Sequence, residues 1–590
     1  MTLLPRLLAT QPRTLVLVGG LVALVLLVAV FDGNWFRPAL ERHLSQSSRR
    51  TVRIDDLHLS LNARLQPVVR LRGVHVQNAP WADAQPFVVA GEAQFTFSWL
   101  SLLRDVKVVT HLRLVDADIR LARQADGLRN WRLTRPDDRG PPRLRVLRLE
   151  PVRSSLHLVH QGVGLTLQTT STPLAQADGE LTQRIGVSGT YRDAAFAGEA
   201  LAGPVLSLQH TGELFALRGE ARSAQTRLHV DGRMADLIKF GGLDAQVKLS
   251  GPNLDQLKLF FPQGRWPATA AYQAEARVNK RGDALTVQTL RATLGRSDVA
   301  GELRYDQHGE RSSVHATLHS QHLHLAELLR PSAPASPAQR LLPQTALPLA
   351  PLKQLDATLE WKVDSLQAPT LPPLTGLQLR ASLDPAQLQI ALQDTRLAGG
   401  RLKGQFVLDH QAASPQAQIE LHAEGLRLEQ IMAKATPIDG PLSGQLKLGG
   451  HGPSVAAWLG SASGQLRLTL PSGNLSPGLD AKLGLNAGKL LRSFFASDKP
   501  VPIRCGAITI DFANGTGTTR ELVLDTAQTR LEGQGNIHLR DESWAMLLTP
   551  RVHQSTVLAL NSSVLVQGSF RDAGYKLVAR EPQPQASGCD

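Results

Sequence analysis

From about residue 50 onward, apolar and polar residues alternate along much of this chain. VRLRGVHV (69–76), HLRLVDADIRLA (111–122), SLHLVH (155–160), GQLKLGG (444–450), GQLRLTL (464–470), AITIDFANG (507–515) and GNIHLR (535–540) all keep this period of two. Successive side chains of a strand point to opposite faces, so the period makes strands with one apolar and one wet face. Leucine fills most inward positions, and aromatic residues make up only 5% of the chain. Gly, Asp-Gly, Asn-Gly and Pro punctuate the runs where hairpins turn back. A looser pattern of Gly, polar, apolar, polar, apolar starts at Gly301, Gly444, Gly464 and Gly535. Its intervals are irregular, so it is not a strict repeat. The expectation is a mostly β protein whose antiparallel sheet is extended hairpin by hairpin, with few helices.

The second constraint lies at the amino terminus. Thr14–Phe31 runs for eighteen residues without a charge, preceded by Arg6 and Arg13 and followed by Asp32. That length is at the short end of what spans a bilayer core of about 30 Å as a helix. It exceeds the usual apolar core of a cleaved signal peptide, and no clear small-x-small cleavage site follows. A single transmembrane helix is expected, with Leu15, Leu17, Leu21, Leu24, Leu27 and Phe31 among its lipid-facing side chains. Positive residues stay on the cytoplasmic side, so the amino terminus is expected inside and the bulk of the chain outside.

Residues 331–352 are rich in proline and alanine and read as a linker or loop. The divisions expected are a stub and anchor at 1–31, a β region at 32–330, the linker, a second β region at 353–579 and a disordered tail at 580–590. Two helices stand out. Phe36, Leu40 and Leu44 recur every four residues after the anchor, with Pro38 near the start. Over about 479–495, Leu479, Leu483, Ala487, Leu490, Leu491, Phe494 and Phe495 form one stripe opposite Asp480, Lys482, Lys489 and Arg492. That amphipathic helix either caps a sheet end or touches a membrane.

Sites for chemistry are scarce. P-loop, G-x-G-x-x-G, H-E-x-x-H and G-x-S-x-G patterns are all missing, so no enzyme, cofactor or metal is expected. His308, His315, His319, His322 and His324 cluster, and His322 and His324 would share a strand face; exposed histidines on a polar face are the commoner explanation. Asp116 and Asp118 also share a face, flanked by Arg113 and Arg120, and a solvated charged face accounts for them. Cys505 and Cys589 are the only cysteines, and no essential disulfide between them is expected. The net charge of +13 is spread thinly, without the dense basic block interleaved with aromatics that nucleic-acid binding requires. A long leucine-lined sheet must still bury its apolar face, against a second sheet or around a lipid. Leu446, Leu448, Leu466, Leu468, Leu470, Ile508, Ile510 and Phe512 are the residues expected to line it.

Two stretches resemble a known family. The first is DGNWFRPALERHLSQSSRRTVRIDDLHLSL, then VQNAPWA with Asn78 and Trp81, then FSWLSLLRDVKVVTHLRLVDADIRLARQADGLRNW with Leu102-Leu103, Asp126-Gly127 and Asn130-Trp131. The second is GPLSGQLKLGGHGPSVAAWLGSASGQLRLTLPSGNLS, followed after the amphipathic segment by AITIDFANGTGTTRELVLDTAQTRLEGQGNIHLRDESWAMLLTP. In content and order these are similar to the two ends of AsmA-like proteins of the bacterial inner membrane. SSRRTVRI departs from the pattern where a glycine-bearing turn is expected. The resemblance implies an inner-membrane anchor and a periplasmic body. It also implies an elongated, curled antiparallel β-sheet with an apolar groove, and movement of phospholipid toward the outer membrane without catalysis. A scaffold or assembly factor for outer-membrane proteins is the alternative function.

Overall fold

The computed structural model describes residues 33–579 except 105, 132–143, 193, 209–212, 238–240, 260–266, 309–310, 329–340, 348, 370, 412–413, 432–437, 476–499, 528, 554–561 and 571–572. The expected anchor, the amphipathic segment with Leu483, Leu490, Leu491, Phe494 and Phe495, and the carboxy-terminal tail lie outside the described residues. Among those described, no helix is long and apolar enough to cross a membrane. The protein is mostly β, as the alternation predicts, and falls into two compact units, residues 1–246 and 247–590.

Unit 1 opens with helix α1 (Arg37–Ser48). Pro38 starts it, and Arg49 ends it in the left-handed conformation with its N–H donated to the Ser45 carbonyl. Strands β1 (Asp56–Leu61), β2 (Pro67–Val76), β3 (Val88–Phe97) and, after the short helix α2 (Trp99–Leu102), β4 (Lys107–Arg123) form an antiparallel meander. β4 then pairs in parallel with β5 (Ser154–His160). From β5 the antiparallel pattern resumes through β6 (Leu165–Asp178), β7 (Leu181–Tyr191), β8 (Ala194–Ala202), β9 (Phe215–Ser223) and β10 (Thr226–Met234).

The outer edge of the first strands would offer unpaired amides to any passing chain. Here α1 and the residues before it cap that edge with side chains. Ser45 Oγ accepts from the Val52 N–H at 3.1 Å, Glu41 from Ile54 at 2.7 Å and Asn34 Oδ1 from Leu57 at 2.8 Å, while Arg37 donates to the Asp55 carbonyl at 2.6 Å. Leu40 and Leu44 lie against the core of Leu57, Leu71, Ala93 and Leu114, so the four-residue spacing seen in the sequence is a real packing face. Phe36, the third residue of that series, is exposed instead.

Unit 2 repeats the plan at greater length. β11 (Tyr272–Arg281), β12 (Ala284–Leu294), β13 (Ser297–His308) and β14 (Arg311–His324) form a meander. β14 pairs in parallel with β15 (Leu355–Ala368). Then follow β16 (Leu371–Leu383), β17 (Gln387–Leu397), β18 (Gly400–Asp409), β19 (Gln416–Arg427), β20 (Pro441–His451) and, past helix α3 (Val455–Gly460), β21 (Ser463–Leu470), each antiparallel to the last. β22 (Val501–Ala513), β23 (Thr516–Thr526), β24 (Thr529–His538), β25 (Ser543–Val552), β26 (Ser562–Ser569) and β27 (Ala573–Ala579) complete it in the same manner.

A parallel pair cannot be closed by a hairpin, and each of these two is clamped by a forked arginine–aspartate pair. Arg153 binds Asp116 at 2.7 and 2.8 Å, and Arg311 binds Asp356 at 2.5 and 3.2 Å. The proline- and alanine-rich connection between β14 and β15 is held where it is described. The Leu341 and Leu342 amides donate to the Glu542 carboxylate, and Leu347 donates to the Pro453 carbonyl.

The recurring glycines of the sequence sit where neighbouring strands approach closely. A Cβ on Gly464 would lie 2.0 Å from the Lys447 carbonyl oxygen and one on Gly301 2.1 Å from that of Thr317, and both residues have φ near +146°. The sheet bends at bulges as well. The register slips between Val287 and Leu290 around Thr289, and between Leu392 and Thr395 around Asp394, and both residues have positive φ.

Candidate functional site

In unit 2 the two-residue period becomes a two-dimensional pattern. Leu318, Trp361, Leu379, Leu392, Gly404, Leu421, Leu446, Leu466 and Ile510 are cross-strand partners over the nine successive strands β14 to β22. A second row, two residues away along the strands, contains Leu303, Ala316, Leu359, Ala381, Ile390, Phe406, Ile419 and Leu448. The row between them is polar: Thr317, Glu360, Arg380, Ala391, Gln405, Glu420, Lys447, Gln465 and Asp511. One sheet face is therefore apolar across its width and the other is wet. Glu360–Arg380 at 3.5 Å and Gln465–Asp511 at 2.7 Å are cross-strand contacts of the wet face. There the His422 hydrogen bond holds the Glu420 carboxyl below the usual carboxylate range. A depression of about 420 Å³ on this wet face is lined by Gln405, Gln418, Glu420, Lys447, Gln465 and Arg467, among others.

Burial separates the apolar face from an ordinary core. A face packed on a second sheet hides its side chains almost completely. From Leu303 to Ile419 the side chains of both rows are only half-buried. The face closes toward β20–β23, where Leu448, Ile510 and Phe512 are buried. Six of the expected lining residues, Leu446, Leu448, Leu466, Ile508, Ile510 and Phe512, gather there with Ile419, Ile537 and Leu539. Leu468 is half-buried between Gly444 and Ile508. Leu470 belongs instead to a neighbouring cluster with Leu475, Val501, Ile503 and Val564. At one end of the strands short helical turns lie over the sheet: Leu328 packs on Leu323, Val363 and Leu377, and Ile431 on Leu374, Leu397 and Leu426.

Sequence reading missed the β14–β19 part of the face. Its signal was present, since LEWKVD (359–364), LQLRASL (377–383) and GQFVLD (404–409) alternate like the runs that were noticed.

Apart from His324, whose buried Nδ1 has no partner among the described residues, and His308, whose side chain lies outside them, the titratable clusters resolve into structural pairs. Asp116 is held below the usual carboxylate range by its hydrogen bond to Arg153, and Asp118 contacts Arg120, Ser155 and His157. His315 lies 2.6 Å from the Thr358 hydroxyl, His319 3.2 Å from Asp364 and His322 4.0 Å from Asp298, and His324 is buried. Among the described residues no three His, Cys, Asp or Glu side chains gather as metal ligands would. Cys505 is disulfide-bonded, and Cys589 is the only other cysteine of the sequence; the expectation that no disulfide is essential concerns stability and is not decided by the bond itself. Sequence distance and a polar tail carry no information on whether two β-carbons meet, which is what decides a disulfide.

The sequence model of the AsmA family matches residues 13–140 and 161–522. This chain belongs to the AsmA family. It is also 23% identical over 629 aligned positions to the AsmA family protein YhjG of Escherichia coli (strain K12), covering 95% of this chain and 92% of that one. The residues that carried the AsmA resemblance in unit 1 build its framework. Asn130 donates to Asn78 Oδ1 at 3.0 Å and to the Arg120 carbonyl at 2.7 Å, and accepts from the Ala122 amide at 2.8 Å. Both asparagines are buried; the fully bonded Asn130 side chain locks a loop to a strand, while Asn78 Nδ2 has no partner among the described residues. Trp131 packs on the same core.

Proposed function

We propose that this AsmA family member is an inner-membrane-anchored periplasmic protein whose apolar face in unit 2 carries or chaperones phospholipid toward the outer membrane, supporting envelope biogenesis without catalysis. The observation that carries the reading is the pair of in-register apolar rows left half-exposed from Leu303 to Ile419. A soluble protein rarely leaves so large an apolar surface without an occupant. An acyl chain laid across leucines gains about 0.8 kcal/mol for each methylene removed from water. Membership of the AsmA family supports an envelope role. The charge asymmetry around Thr14–Phe31, with Arg6 and Arg13 before it and Asp32 after it, supports a single anchor with the amino terminus in the cytoplasm.

The test is mass spectrometry of lipid that co-purifies with the full-length chain, for wild type and for Leu468→Asp. The expected result is phospholipid on the wild type, and a variant that melts nearly as the wild type does but has lost its lipid. A folded variant carrying wild-type lipid would remove this face from the path, and an unfolded one would make it a closed core.

A further inference from the structure

At one end of unit 1, where β1 turns into β2 and β3 leads through α2 into β4, large apolar side chains stand in water. Leu65 is 68% exposed, Trp99 56%, Leu100 68% and Leu103 89%. Single exposed leucines are ordinary, but a cluster of them is not. The two loops are joined, because Trp99 Nε1 donates to the Leu65 carbonyl at 2.6 Å. Both are also built rather than loose. Asn62 Oδ1 accepts from the Arg64 and Gln66 amides, and Lys107 Nζ donates to the Leu102 and Arg104 carbonyls at 2.9 and 2.6 Å. Leu65 has φ +55°, a left-handed conformation that leucine seldom adopts and that Asn or Gly would take easily. Folding alone does not favour a leucine at that tip. Arg64 and Arg104 are exposed beside the cluster, and neither 61–66 nor 98–104 contains an acidic residue.

The amino-terminal chain leads to the same end. Along the first strands Ser45 contacts Val52, Glu41 contacts Ile54, Arg37 contacts Asp55 and Asn34 contacts Leu57. Each step toward the amino terminus is thus a step toward the β1–β2 turn. From Leu57 to Leu61 a strand covers about 13 Å. The three residues from Asn34 back to Phe31 can reach about 10 Å. Chain preceding Asn34 therefore heads toward the Leu61–Leu65 tip, and Trp35 and Phe36, just after Asn34, are exposed.

We infer that this end of unit 1 docks on the bilayer surface from which the chain emerges. Trp99, Leu100, Leu103 and Leu65 sit at the boundary of headgroups and acyl chains, with Arg64 and Arg104 at the phosphates. Tryptophan and leucine flanked by arginine are the side chains that favour this zone. The partner, a lipid bilayer, rests on reading Thr14–Phe31 as an anchor, but the docking itself is tested separately.

The experiment places a benzophenone amino acid at Leu103 in the full-length chain, in vesicles of phosphatidylethanolamine and phosphatidylglycerol, with the same probe at Leu128, at the opposite end of β4, as comparison. The expected result is a phospholipid adduct at position 103 at least about tenfold stronger than at 128. Trp99→Glu with Leu100→Glu should reduce the position-103 adduct by a similar factor. Alkaline carbonate extraction reports on the anchor alone. A lipid adduct at 103 supports docking whether or not carbonate strips the chain, and stripping would count only against the anchor. No lipid adduct at 103, an equal one at 128, or an adduct with protein only would overturn the proposal.

Discussion

Leu57, Leu71, Ala93 and Leu114 form one register row across β1 to β4 of unit 1, and all four are buried. Leu359, Ala381, Ile390 and Phe406 form a row of the same kind across β15 to β18 of unit 2, and all four are half-buried. The strand patterns hardly differ. What differs is the cover: Leu40 and Leu44 of α1, with Trp131 and Leu149, pack against the first row. The lesson is that alternation specifies a face, while neighbouring elements decide whether it becomes a core or a surface for something else.

The sharpest way to break that comparison is to bury a charge in each row. Ala93→Asp is expected to unfold unit 1, since an unpaired carboxylate there costs several kcal/mol. Leu379→Asp, whose carboxylate water can reach, is expected to shift the melting temperature only slightly. Thermal melts of the two variants check this, and equal collapse of both would make the second face a closed core.

Gly464→Ala comes next. It places a side chain at φ +146° and against the Lys447 carbonyl, so a loss on the order of 3 kcal/mol is expected from strain and overlap. Chemical denaturation should show it as a lowered midpoint. An unchanged midpoint would mean that close strand approach at the recurring glycines does not hold unit 2 together.

Cys505→Ser is expected to cost about 2–3 kcal/mol by freeing a long loop, read as a drop of a few degrees in melting temperature that reducing agent reproduces in the wild type. No drop would assign the bridge no role in stability.

The smallest effect concerns the two clamps at the parallel joints, one in each unit. Hydrogen bonds from Arg153 and Arg311 hold Asp116 and Asp356 below the usual carboxylate range. A lowered folded value means stability that is present above the unfolded carboxylate value near pH 4 and is lost as pH falls through the folded values. Melting temperature should therefore decline below about pH 4. Arg153→Gln combined with Arg311→Gln should flatten part of that decline, and an unchanged pH profile in the double variant would refute the clamp.

Much of this was legible in the residues. The strand period, the turn residues, the spacing of Leu40 and Leu44 in α1 and the shared face of Leu446, Leu466 and Ile510 all follow from local patterns that the tertiary structure leaves intact. The two parallel joints were not legible, because strand direction is set by long connections rather than by the strands. Bulges at Thr289 and Asp394 carry no glycine to announce them. The edge-capping roles of Asn34, Glu41 and Ser45, and the meeting of Asn78 with Asn130, join residues far apart in sequence, and no single-chain periodicity encodes such pairs. The Cys505 bridge was not legible for the same reason.

The most direct test of the central claim compares neighbouring positions on opposite faces of β16. A photo-cross-linking residue is placed at Leu379 and, separately, at Arg380 of the full-length chain, and the proteins are irradiated in cells and analysed for attached lipid. Phospholipid adducts at 379 with few or none at 380 are expected, because only the first position looks onto the half-exposed apolar rows. Absence of lipid at 379, or equal labelling at both positions, would contradict the account.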